Sequence, residues 1–237
     1  MEVVHYNLDM TPESEWAIVS ASAFAKDNLL YLQEVGHFIS GRNYYTVRKS
    51  LDSYLVKLTL AGRGILEYGG EIYQLPAGSF FWIDCQAPQN YYTDPESGRW
   101  DVLWFHFNGA TAKAYYQAFL AQTRGRAAAS LPVDSPVSEQ MSALLTLAAE
   151  DENEQERDGV GAADVDRVRA DPVFRTGRCA AGSAGHAARA AVPARPVYAE
   201  NRAGRAGGGV QRQQVPFAEE LPALFRSVAR GISDEAA

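Results

Sequence analysis

The chain has 237 residues, 46% of them apolar, and a formal net charge of −7, a size and composition suited to one large or two small soluble domains with a sizeable core. The acidic balance excludes a uniformly basic nucleic-acid binder, and no apolar run approaches the roughly eighteen residues of a membrane span. The opening MEVVHYNLDM has neither the basic nor the apolar region of a secretory signal, so a cytoplasmic location without a membrane partner is expected.

The N-terminal arm, residues 1–16, is polar and lacks clear periodicity, which fits a frayed terminus or an added edge strand. From Tyr44 to Phe107 apolar residues recur with period two in short runs broken by turn signals. In YLVKLTLAGRGILEYGGEIYQL the pattern reads strand, turn, strand, turn, strand, with Ala61-Gly62-Arg63-Gly64 and Gly69-Gly70 as the turns. Pro76 and Gly78 lead into the aromatic run SFFWIDC, and DPESGRW separates NYYT from WDVLWFHF. About six strands at such spacing predict an antiparallel sandwich or barrel, a mainly β fold.

After Gly109 the period lengthens. Residues 110–122 and 136–157 place apolar residues three and four apart, as at Met141, Leu144, Leu145 and Ala148, which predicts two helices with one apolar face each. Ser138 is the expected cap of the second, with Glu139 in its first turn. Between about Asp151 and Gly161 the composition changes: all four lysines and all four tryptophans lie before residue 114, and Ala, Arg and Gly dominate beyond residue 158. Residues 159–237 hold too few large apolar residues in any period to bury a core and are expected to be disordered. A short helix around FAEELPALF is the exception, with Pro222 interrupting it. An Arg/Gly-rich nucleic-acid tail is the rival reading, weakened by the lack of interleaved aromatics for base stacking.

The segment SYLVKLTLAGRGILEYGGEIYQLPAGSFFWIDCQAPQNYYTDPESGRWDVLWFHFNG resembles the N-terminal effector-binding domain of AraC/XylS-type transcription regulators in strand order, glycine turns, the P-x-G step and the closing W-x-x-x-W-x-H-F. The likeness covers residues 30–158. It implies a cupin-like jelly-roll barrel at 1–109 holding a small effector, usually a sugar, then a helical dimerisation segment at 110–158, and ordinarily a C-terminal DNA-binding domain of two helix-turn-helix units. It also implies that the arm can fold over bound effector. In a reading frame shifted by one base, the codons of Asn201 to Pro222 permit I-x-L-D-E-L-A-A-x-F-N-V-S-K-F-H-L-Q-K-N-F-R, similar to the first of those helix-turn-helix units. A frameshift near 158–162 is therefore expected to have replaced the DNA-binding half, and no DNA contact is expected of this chain.

By the same resemblance, Arg48 stands at the position whose guanidinium bonds sugar hydroxyls, and Tyr91 and Trp104 at the pocket tyrosine and stacking tryptophan. A surface ion pair with Asp52 competes as the role of Arg48, and plain core packing as that of the two aromatics. Trp100 reads as structural. Val102 and Gln89 occupy positions where relatives carry histidine, which puts arabinose in doubt as the ligand. A cupin metal enzyme would need clustered imidazoles; here His106 alone lies in the strand region and no H-x-H occurs. Cys85 and Cys179 make no C-x-x-C pair and read as free thiols. No metal, cofactor or catalytic role is expected. The sequence thus points to sugar sensing and homodimerisation in a transcription regulator, with a standalone sugar-binding cupin as the alternative.

Overall fold

A computed structural model of the chain describes residues 5–132, 135–157 and 222–227. Its strands are β1 (His5–Asn7), β2 (Glu15–Ile18), β3 (Leu30–Ser40), β4 (Tyr45–Arg48), β5 (Tyr54–Tyr68), β6 (Glu71–Pro76), β7 (Ser79–Asp84), β8 (Gln89–Thr93), β9 (Trp100–Gly109) and β10 (Ala128–Ser130). The helices are α1 (Ala23–Asn28), α2 (Ala112–Gln122) and α3 (Val137–Arg157). One layer runs β1-β4-β8-β5-β6 and the other β10-β7-β5-β9-β3-β2, with every pairing antiparallel. The result is the curled, mainly β barrel expected from the alternation, with the cupin-like build that the resemblance implies.

Both layers share β5. Its first half pairs with β7 and β9, and from Arg63 onward it pairs with β6 and β8. The expected turn at 61–64 is therefore not a turn. The chain runs on as one strand, with a bulge between Thr59 and Ala61 and Gly62 at φ +72°. A bulge and a positive-φ glycine let a strand bend from one sheet into the other without breaking its ladder. Gly69-Gly70, at φ +63° and +85°, does form the tight hairpin between β5 and β6.

Period-two alternation sends neighbouring residues of β5 and β9 to opposite faces. Leu55, Phe81, Ile83, Trp100, Val102 and Trp104 belong to the cluster inside the barrel. Val56, Leu58, Trp82, Leu103, Phe105 and Phe107 belong to a second cluster on the outer face. Helices α2 and α3 cover that outer face through Tyr116, Phe119, Met141, Leu144, Leu145 and Ala148. The apolar stripe of α3 is thus buried within the chain and is not the free dimerisation face that the isolated segment suggests. Ser138 lies inside the first turn of α3, and it is Ser135 Oγ that accepts from the Val137 amide at 3.4 Å.

The composition break beyond Arg157, the shifted-frame reading and the expected tail fall outside the described residues except at 222–227. That stretch is a helical turn, and Phe225 stacks on Trp82 with ring centroids 4.8 Å apart. It overlaps the end of FAEELPALF, where a short helix is the exception to the expected disorder.

Candidate effector-binding site

A cavity of about 360 Å³ lies inside the barrel. Its walls come from both layers: Glu34 and Phe38 on β3, Thr46 and Arg48 on β4, Lys57 on β5, Tyr91 on β8, and Trp104 and His106 on β9, with Tyr44 just ahead of β4. The N-terminal arm contributes Tyr6, Leu8 and Trp16, and the end of β2 contributes Ile18. Of the readings open for the arm, the structure takes the edge strand twice over. β1 extends one layer beside β4 and β2 extends the other beside β3, so the arm spans the two sheet edges at the cavity. Half-exposed Leu8 and Trp16 lie on that rim.

The three residues singled out by sequence, Arg48, Tyr91 and Trp104, all line this one cavity. Trp104 is 4% exposed, and its indole lies against Gly36 on the neighbouring strand. A Cβ at Gly36 would meet the Trp104 ring at 2.7 Å, so only glycine leaves room for the indole there. Trp104 Nε1 is buried without a hydrogen-bond partner among the described residues, leaving one donor for a ligand acceptor. The Tyr91 hydroxyl is pushed up in pKa, mainly by burial and against the pull of Arg48, and stays protonated as a donor.

Val102 and Gln89, the two departures from the family pattern, do not line the cavity. Val102 packs inside the barrel, and the buried Gln89 side-chain amide donates to the Cys85 carbonyl at 3.4 Å. Trp100 is fully buried and donates from Nε1 to Thr59 Oγ1 at 3.0 Å, a structural anchor as expected.

Sequence reasoning did not place three polar residues, Lys57, His106 and Glu34, in the cavity. Lys57 is 3% exposed and donates to the Tyr44 hydroxyl at 2.7 Å. Its ammonium lies over the rings of Tyr91, Tyr44, Trp100, Phe38 and Trp104 at 4.5–5.8 Å, a cation–π cage that offsets part of its desolvation. Burial first, then Arg48, holds the Lys57 pKa well below the usual lysine range. The signal was in the alternation: Lys57 shares strand parity with Leu55 and Thr59, so it had to point inward.

His106, read from sequence as a core or interface residue, is both buried and cavity-lining. Its Nδ1 lies 2.8 Å from Ser53 Oγ. That hydroxyl also lies 3.1 Å from the Tyr54 carbonyl, and the bond to Nδ1 fixes the ring in the wall of the cavity. Burial, with Arg48 and Lys57 adding to it, keeps the imidazole neutral. Glu34 is raised in pKa by burial, an effect that Arg48 opposes. Among the described residues, no three His, Cys, Asp or Glu side chains are grouped to hold a metal ion.

The arrangement is an apolar, aromatic-walled pocket with a few convergent polar groups, the build of a small-molecule site. A comparison with protein families matches residues 31–163 to the AraC-like ligand-binding domain. The chain belongs to that family. No curated protein matched it. Among solved structures it is similar to a cupin 2 barrel domain protein from Salinispora arenicola, at 11% identity over 47% of this chain and 89% of that one, TM-score 0.32. It is also similar to a cupin superfamily protein from Desulfitobacterium hafniense, at 10% identity over 39% and 75%, TM-score 0.30. A third is an HTH_3 family transcriptional regulator from Vibrio cholerae, at 10% identity over 40% of this chain, TM-score 0.32; the chain spans about half of that regulator's length, 49%. Among the described residues, no helix is long and apolar enough to cross a membrane.

Proposed function

We propose that this AraC-like domain is the sensing part of a sugar-responsive transcription regulator, that it works as a cytoplasmic homodimer, and that it binds its effector without turning it over. The observation that carries the reading is the convergence of Arg48, Tyr91 and Trp104 on one aromatic-walled cavity. An aromatic face stacks on the apolar face of a sugar ring, while Arg48, His106 and Glu34 supply the mixed donors and acceptors that hydroxyls need.

The arm is the natural reporter. β1 has three residues paired only with β4, so few hydrogen bonds hold it, while Tyr6 and Leu8 touch the cavity. An effector in contact with both arm and barrel would favour the docked arm over the free one, and that difference in affinity is what a switch requires. Titration of the whole chain with a panel of neutral sugars and sugar acids, followed by tryptophan fluorescence and by protease cleavage within residues 1–16, tests the reading. Saturable binding that Trp104→Ala abolishes and that protects the arm is expected. Binding without arm protection would sink the switch; no binding across the panel would sink the sugar reading.

A further inference from the structure

Lys57 is a buried amine with no carboxylate beside it. Among the described residues no carboxylate lies within ion-pair distance of its ammonium, and its one hydrogen bond goes to the Tyr44 hydroxyl. An ammonium buried in this way is costly unless something compensates it. The rings around it return only part of that cost. The other charged groups facing the cavity do not balance it: Arg48 is a second cation, His106 is neutral, and Glu34, the single cavity carboxylate, is coupled to Arg48. The cavity therefore holds more basic than acidic groups and an excess of donors, with Trp104 Nε1 adding an unpartnered N–H. A neutral sugar, whose hydroxyls donate as often as they accept, leaves that excess uncorrected. A ligand bearing a carboxylate corrects it.

We propose that the effector is a sugar acid of the hexuronate class, its carboxylate seated on Lys57 Nζ and its ring against the indole of Trp104. The proposal rests on the reading of the cavity as a sugar-type effector site and narrows it to anionic members. Lys57 is then the residue that sets specificity: a charge-assisted hydrogen bond in a dry pocket discriminates strongly against the uncharged analogue, which leaves the ammonium unpaired.

Calorimetric titration of the full chain with D-glucuronate, D-galacturonate, D-glucose and D-galactose tests this, using wild type, Lys57→Met and Lys57→Arg, each checked for native circular dichroism. The expected result is that one uronate binds roughly tenfold or more tighter than its neutral counterpart. Lys57→Met should erase the preference while neutral-sugar binding persists, and Lys57→Arg should retain part of it. Equal binding of acid and neutral sugar, or a preference that survives in Lys57→Met, overturns the proposal and leaves the sugar reading standing. Binding of neither class overturns both.

Discussion

The inner and outer faces of β5 and β9 are made by alternate residues of the same strands and differ in kind. Outside, Val56, Leu58, Leu103, Phe105 and Phe107 meet Trp82, α2, α3 and Phe225 in a largely apolar contact. Inside, Lys57, Thr59, Trp104 and His106 share the space with Phe38, Tyr44 and Tyr91 around a cavity. The outer face invests its side chains in packing; the inner face keeps desolvated polar groups that packing alone does not justify. Period two lets one strand serve both ends, since a residue's parity decides which face it joins.

Substitution on each face should separate these roles. Trp82→Ala removes a fully buried ring stacked on Phe119 and Phe225, and should cost about 3–5 kcal/mol in urea unfolding without altering ligand selectivity. Trp104→Ala, on a wall that already borders open space, should cost less stability and abolish effector binding. Equal stability losses would contradict the distinction.

Leu144→Asp sharpens the same point for α3. Leu144 is 1% exposed within the chain, so a carboxylate there should destabilise the fold by about 3 kcal/mol or more. Sedimentation should show aggregation or unfolding, and a well-folded monomer would show the stripe to be an intermolecular face after all.

Lys57→Met should have the opposite sign. Because burial and Arg48 lower the Lys57 pKa in the folded state, the unfolded chain binds more protons between that pKa and the unfolded value near about 10.4. Stability therefore rises with pH across that window in the wild type. The substitution should raise stability at neutral pH by about 1–3 kcal/mol and flatten the dependence, as read by thermal unfolding from pH 7 to 10. A loss of stability would mean that Lys57 is a structural donor. The smallest effect concerns Cys85, fully buried with its thiol pushed up to about 12, mainly by burial. In a Cys179→Ser background it should react with a thiol reagent only at the rate of unfolding.

Much of this was legible in the sequence because alternation and glycine turns are local signals. The strands from Tyr45 to Gly109, the Gly69-Gly70 hairpin and the two helices follow from them. What escaped depends on distant partners. The 61–64 bend looks like a turn until β7 and β9 on one side and β6 and β8 on the other are seen to share β5. β1, β2 and β10 are three or four residues long and exist only because a longer strand offers an edge. In the site, Arg48, Tyr91 and Trp104 came from family resemblance, whereas Lys57 and Glu34 look like ordinary surface charges until their faces are known.

The most direct test is a crystal structure of the chain grown with the tightest-binding sugar or sugar acid from the titrations. The account predicts ligand density between Arg48, Tyr91 and Trp104, with the ring stacked on the indole and β1 ordered across the opening. Density elsewhere, for instance in the shallow groove beside Glu67 and Asn90, with the barrel cavity left to water, would contradict it.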